Sequence, residues 1–326
     1  MSKNPLKIIS VTNDAPSPKR ESQIKGSREE SQAKLERLWH SNPEQFNPMR
    51  NCMERERIQR TWNLIISSIS LLNKKVCDLG CGDGLLSERL SQHGAEVDAV
   101  DIATQPLNVL QEKALPHLKI IHDYLPRTLL KDNAYDLILS TDVIAYLHKD
   151  QHRLYFSELA RLMKLDGCVI CSTPLDINSE DAFERFSTLA LTEFTVERWV
   201  LSYHALYLRL KSFIEAPSRF KRAGKEHAYR QKELNKRFSL NYYWFKLNSS
   251  AILARFWSFI DWLLRPLISL VRQSSFILLT LEKVCRFIWS ERGVSHALFI
   301  GKRRPVAPAE PAPIEYERKH KKQVWE

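Results

Sequence analysis

The sequence predicts an α/β fold, a mainly parallel sheet covered by helices on both faces, on three observations. Short apolar runs alternate with amphipathic segments from about residue 53 to residue 172. Three of only nine glycines fall within five residues, 80–84, where one apolar run meets the next helix. The net charge of +11 is unevenly spread, with −6 on residues 61–190 and +13 on residues 191–326. With 326 residues, 44% of them apolar, the chain can bury a sizeable core, which excludes a mainly disordered or fibrous protein. The positive balance suggests an anionic partner, nucleic acid or a membrane surface, and says nothing about fold.

Residues 1–34 are polar, lysine-rich and broken by Pro16 and Pro18, and are expected to be disordered. Their start holds no apolar run, so no secretory signal is read and a cytoplasmic location is expected. A core spanning 35–204 follows. Its elements are a helix at 53–72, a strand at 75–79, a helix at 85–93 and a strand at 96–101. A helix at 105–115, strands at 118–122 and 134–140, a helix at 151–164 and a strand at 167–172 complete the alternation. Successive strands joined through helices are parallel and buried on both faces. Such sheets bind ligands at the carboxyl ends of their strands. Six cysteines in a chain this long are no disulfide framework. Cys168 and Cys171 stand in an apolar run with no second pair, so they read as buried strand thiols rather than a metal or redox site.

The run Val76-Cys77-Asp78-Leu79-Gly80-Cys81-Gly82-Asp83-Gly84 joins a strand to a helix. Glycines there allow a sharp turn and a close ligand, and the helix behind offers unpaired N–H groups. The dinucleotide fingerprint that seats a pyrophosphate is G-x-G-x-x-G, whereas here the spacing is G-x-G-x-G and the sixth position is Leu85. Asp78, two residues before the first glycine, would repel a pyrophosphate but suits a cation such as S-adenosyl-L-methionine. Asp101 ends the next strand, where a carboxylate can accept both ribose hydroxyls.

These residues resemble motif I of the class I S-adenosylmethionine-dependent methyltransferases. The resemblance implies a Rossmann-like seven-stranded sheet whose last two strands, at 194–203 and 295–302, form an antiparallel pair. Lys74-Lys75-Val76, Gly94-Ala95, Val97, Asp101 and Pro106-Leu107 further resemble the ubiquinone-biosynthesis O-methyltransferases. Asn47-Pro48-Met49-Arg50 is similar to that family's Asn-Pro-Leu-Arg, which implies that Arg50 touches the cofactor. The resemblance also implies cofactor contacts at Asp78, Gly80, Cys81, Gly82, Gly84, Asp101 and Ile102, and further along at Asp123, Tyr124 and Thr141. Methyl transfer is an in-line displacement that needs alignment, and a base only if the acceptor must lose a proton. Candidates for that base follow the fourth strand: Asp142 and His148, with Tyr146 beside them. Where that family carries several carboxylates, Ala145 occupies one position, and no metal is expected.

Residues 205–292 lie between the sixth and seventh strands and hold 17 Lys or Arg against 6 acids. From 251 to 289, Arg255, Ser258, Asp261, Arg265, Ser269 and Arg272 recur at steps of three or four, one narrow polar stripe on otherwise apolar helices. The longest uncharged stretch, 273–281, is too short to span a bilayer. The pattern fits an interfacial amphipathic pair, a lid over an apolar acceptor, or a helical subdomain packed on the sheet. Tyr242-Tyr243-Trp244-Phe245 beside Lys246 could instead stack bases. The expected domains are therefore the core at 35–204, the insertion at 205–292, a final core strand at 293–304 and a disordered basic tail at 305–326. The expected activity is O-methylation of an apolar small molecule, quinone-like or lipid-linked, by a protein peripheral on the inner face of a membrane. The alternative is methylation of RNA or protein docked on the basic insertion.

Overall fold

The computed structural model describes residues 18–41, 47–49, 51–235 and 240–305. Seven strands build one sheet: β1 (Lys75–Leu79), β2 (Glu96–Asp101), β3 (Leu118–His122), β4 (Tyr135–Thr141), β5 (Met163–Pro174), β6 (Phe194–Ser202) and β7 (His296–Arg303). Their order across the sheet is β3-β2-β1-β4-β5-β7-β6. Val76 of β1 stands opposite Val97 of β2 and Leu137 of β4, both in parallel register. β7 runs antiparallel between β5 and β6. The chain proceeds outward from β1 in one direction through β2 and β3, then returns to β4 on its other side. That reversal opens a crevice at the carboxyl ends of β1 and β4.

Helix α1 (Pro18–Ser41) opens the described chain and is followed by α2 (Cys52–Ser68), α3 (Leu85–Gln92) and α4 (Thr104–Glu112). α2, α3 and α4 bury Ile58, Leu86, Leu90 and Leu107 against one face of the sheet, beside Val76. α5 (His152–Leu162) and α6 (Ala182–Glu193) bury Tyr155, Phe156, Leu159 and Phe186 against the other, beside Cys77 and Leu79. The two-residue period of β1 thus supplies both cores, and Asp78 falls on the α2–α3 side. Cys168 and Cys171 are buried thiols of β5, and burial pushes them up to about 11 and about 12.

Several elements depart from the sequence reading. Residues 18–34, expected to be disordered, form the first part of α1, while residues 1–17 and the expected tail from 306 lie outside the described residues. The part of α1 that matters presents Leu35 and Trp39 to the crevice, and two apolar residues four apart make no periodic signal. β5 begins at Met163, earlier than expected, because Met163 pairs with Tyr135 across a register shift. α6 was not anticipated, although Phe186 and Ala190 repeat at helical spacing and are buried.

Among its described residues the insertion builds helices and turns and no strand: α7 (Ala205–Ile214), α8 (Ala216–Lys225), α9 (His227–Leu234), α10 (Leu240–Asn248), α11 (Ala254–Gln273) and α12 (Ser275–Trp289). Its own cores gather Tyr207, Ile268, Val271 and Leu278 around Cys52 of α2, and Phe220 against Phe245. Among the described residues no single helix is long and apolar enough to cross a membrane; α11 and α12 pass together only as a pair bent by 71°.

Candidate active site

A cavity of about 330 Å³ occupies the crevice, within the range of small-molecule sites. Its floor is the glycine loop. Gly80 has φ +76°, and a Cβ there would stand 2.2 Å from Val143 Cγ2, so neither the backbone nor the space admits a side chain. The Gly80 N–H donates to Val100 O at 2.8 Å, tying the loop to β2. Gly84, at φ +76°, caps the start of α3 in the left-handed region.

Asp101 closes one side. Its Oδ2 accepts the Gly82 N–H and its Oδ1 accepts the Ala103 N–H, both at 2.9 Å. These bonds fix the carboxylate, yet burial still pushes it above its ordinary range, the backbone donors opposing. Asp78 accepts from Ser87 Oγ at 2.6 Å, and burial lifts it to about 6. Among the described residues neither acid forms an ion pair. Desolvated Asp78, with half-buried Asp101 on the same cavity, favours a cation between them. Together with loop positions that exclude a Cβ, they fit S-adenosyl-L-methionine, which brings an ammonium, a sulfonium and two ribose hydroxyls.

The other expected contacts assemble around them. Cys81, Gly82, Ile102, Asp123, Tyr124 and Thr141 all line the cavity. Asp123 is held by the Tyr124 and Leu129 N–H groups, each 2.8 Å from a carboxylate oxygen. Gly84 sits behind the loop rather than in its lining, its space taken by Leu110. Arg50 lies outside the described residues.

The expected base positions separate. Asp142 lines the cavity just past β4, in the left-handed region at φ +63°. Its Oδ1 accepts from Ser172 Oγ at 2.7 Å and lies 2.8 Å from His296 Nε2. Its Oδ2 is 3.4 Å from Arg57 Nε. Burial pushes this carboxyl up, but His296 and Arg57 outweigh it and hold it well below the usual range. A carboxylate so held is a weak proton acceptor and a firm anchor. His148 is not brought to the cavity: its side chain is 81% exposed and pairs with the equally exposed Asp150. The turn after β4 points it outward while Tyr146 and Leu147 face in.

Sequence reasoning missed one wall entirely. Glu54, Arg57 and Ile58 of α2 line the cavity, at the i, i+3, i+4 spacing of a single helix face. Arg57 Nε donates to Glu54 Oε2 at 3.1 Å, and Nη2 donates to Glu54 Oε1. Burial would lower the guanidinium, but Asp142 and Glu54 raise it further. Trp39, from α1, comes within 3.0 Å of a Cβ built on Gly82. Only the helical spacing of 54, 57 and 58 could have signalled this wall.

The protein-family model described as a methyltransferase domain matches residues 76–167. The ubiquinone biosynthesis O-methyltransferase of Pelagibacter ubique is 31% identical over 130 residues, covering 39% of this chain and 53% of that protein. Its counterpart in Stutzerimonas stutzeri is 40% identical over 80 residues, covering 24% of this chain and 32% of that protein. The chain thus spans about half the length, or less, of these curated relatives. Among solved structures, an N-methyltransferase of Bradyrhizobium japonicum in complex with S-adenosyl-L-homocysteine aligns at 20% identity and a TM-score of 0.45, covering 52% of this chain and 89% of that one. The crevice with its glycine loop, the acids Asp78 and Asp101 and the family match agree: residues 76–167 match a methyltransferase domain, and the cavity they help build fits S-adenosyl-L-methionine.

Proposed function

We propose that the protein methylates an oxygen of an apolar small molecule, quinone-like or lipid-linked, at the cytoplasmic surface of a membrane. The observation that carries the transfer reaction is the pair of acids, buried Asp78 and half-buried Asp101, neither ion-paired among the described residues, flanking a loop whose glycine positions leave no room for a Cβ. The oxygen acceptor is supported by relatives whose names are O-methyltransferase. Its apolar character is supported by Leu35, Ile58, Leu125, Val143 and Leu147 in the cavity wall.

The bound cofactor supplies a methyl group activated on a sulfonium. Asp101 would accept the ribose hydroxyls, Asp78 would face the cationic end, and Asp123 and Tyr124 would close the base side. Arg57, steadied by Glu54 and Asp142, presents a fixed positive edge to the acceptor side. Apolar walls exclude water, and most of the rate enhancement comes from alignment. Membrane residence is supported by the exposed apolar residues of the insertion, Phe276 and Phe287 being 80% and 91% accessible. Incubating the full chain with methyl-labelled donor and fractionated lipid extracts tests the reading. Label is expected in an apolar, solvent-extractable product; label only in protein or RNA overturns it.

A further inference from the structure

The connection from β3 to β4 carries the base side of the crevice. Asp123, Tyr124 and Leu125 line the cavity, and the Asp123 N–H donates to Asp101 O at 3.2 Å. Both carboxylate oxygens of Asp123 accept from within this connection, one from the Tyr124 N–H and the other from the Leu129 N–H. Two such bonds fix the plane of a carboxylate that borders the cavity. A carboxylate so oriented can accept the exocyclic amino group of an adenine.

The connection is held in turn from behind, by α5. Glu158 is fully buried and stands outside the cavity lining. Its Oε1 accepts the Thr128 N–H at 2.8 Å and the Thr128 hydroxyl at 2.6 Å. Arg161, one turn along α5, donates through Nε to Glu158 Oε2 at 2.8 Å and through Nη2 to Oε1 at 2.6 Å. The same guanidinium reaches Leu130 O at 2.8 Å and Thr128 O at 3.3 Å. Burial pushes the Glu158 carboxyl up, but Arg161 and Thr128 outweigh it and hold it below its ordinary range. Apolar residues in place of a buried ion pair often stabilise as well or better, so the contribution of this pair lies in the geometry it imposes. That geometry has a direct line to Asp123. The Thr128 carbonyl and the Leu129 N–H belong to one trans peptide group, planar, with oxygen and hydrogen on opposite edges. Arg161 holds the oxygen edge, and the hydrogen edge donates to Asp123 Oδ2 at 2.8 Å.

We propose that Glu158 and Arg161 are positioning residues for the cofactor's base. Through the Thr128–Leu129 peptide they aim the Asp123 carboxylate, and so set the preference of the cavity for adenine over a purine that lacks the amino group. The inference rests on the adenine lying beside Asp123, and adds two residues that line no part of the cavity. With the peptide fixed, the carboxylate meets the amino group already oriented, and a base offering an oxygen at that place meets a like partial charge. A site built to accept a hydrogen bond rejects an analogue that cannot donate it. With the peptide free to rotate, the carboxylate turns and the two bases fit more nearly alike.

The experiment titrates the full chain with S-adenosyl-L-homocysteine and with S-inosyl-L-homocysteine, in which an oxygen replaces the amino group. Wild type is expected to favour the adenine form by about tenfold or more. Two variants loosen the hold on Thr128. Glu158→Gln weakens the grip on Arg161 while leaving it the pair with Asp132. Arg161→Lys cannot reach the carboxylate and both carbonyls at once. Each should lower the ratio of the two affinities roughly threefold to tenfold, with thermal unfolding as the check on folding. Tyr135→Phe is the control: it removes a buried bond to Asp98 at the start of β4, and should lower the unfolding temperature with the ratio unchanged. A wild-type ratio in both folded variants overturns the positioning role. A ratio that falls as far in Tyr135→Phe reduces the effect to general loosening and overturns it too. Wild type that binds the two probes alike removes the adenine from Asp123, and the proposal with it. Wild type that binds neither sinks the underlying methyltransferase reading instead.

Discussion

Asp142 Oδ1 lies 2.8 Å from His296 Nε2, joining the exit of β4 to the first residue of β7. With Arg57 on its other oxygen, Asp142 links three separate stretches of chain at the cavity rim. Its partners hold the carboxyl below the usual range, so its contribution to stability is full above about pH 4 and is lost as pH falls toward the lower native value. Asp142→Asn, which tolerates the left-handed backbone, should cost roughly 1–3 kcal/mol at pH 7. Unfolding in urea at pH 7 and pH 3.5 checks the sign: the gap between wild type and variant should narrow at the lower pH.

Asp101 is expected to carry the ribose. Replacing it with Asn removes charge-assisted bonds while leaving the side chain's shape, and bonds of that kind contribute about 1.5–3 kcal/mol each. Calorimetric titration with S-adenosyl-L-homocysteine should show roughly ten- to hundredfold weaker binding. An affinity within twofold of wild type would remove Asp101 from the site.

Asp78 gives the opposite pH signature. Its native value, about 6, lies above the ordinary carboxylate range because of burial. The ligand-free protein therefore loses stability as pH rises from about 4 through 6. Asp78→Asn should be more stable than wild type at pH 7 by up to about 3 kcal/mol, and equal to it near pH 4. A cation bound beside Asp78 favours the ionised form, so cofactor affinity should rise from pH 5 to pH 7 in wild type and rise less in the variant.

Gly80→Ala places a methyl group against Val143 at a backbone angle that favours glycine. A stability loss of about 1–3 kcal/mol and a collapse of cofactor binding are expected, read by thermal unfolding and by titration.

His148→Ala should leave turnover within twofold. The side chain stands in water beside Asp150, away from the cavity, and a tenfold fall in turnover would contradict the placement.

The sheet was legible because its strands are short apolar runs with sharp ends; β1, β2 and β3 begin and end where the sequence reading placed them. The cofactor loop was legible because glycine and aspartate carry their chemistry in local spacing. Arg57 and Trp39 were not, because their role comes from helices that pack over the crevice from a distance in sequence. α11 was readable as amphipathic, yet which face it buries was settled only by partners on α8 and α2, Lys221 pulling Asp261 inward. His148 was misleading for a related reason. Proximity to β4 in sequence does not say which way a turn points its side chains.

The most direct test of the central claim is transfer of labelled methyl from S-adenosyl-L-methionine by the full chain in the presence of membrane lipid extract. Label is expected in an apolar product whose new bond is an alkali-stable ether, and none with Asp101→Asn at low donor concentration. Label confined to nitrogen, to protein or to RNA would contradict it, as would no transfer by a protein that binds the donor.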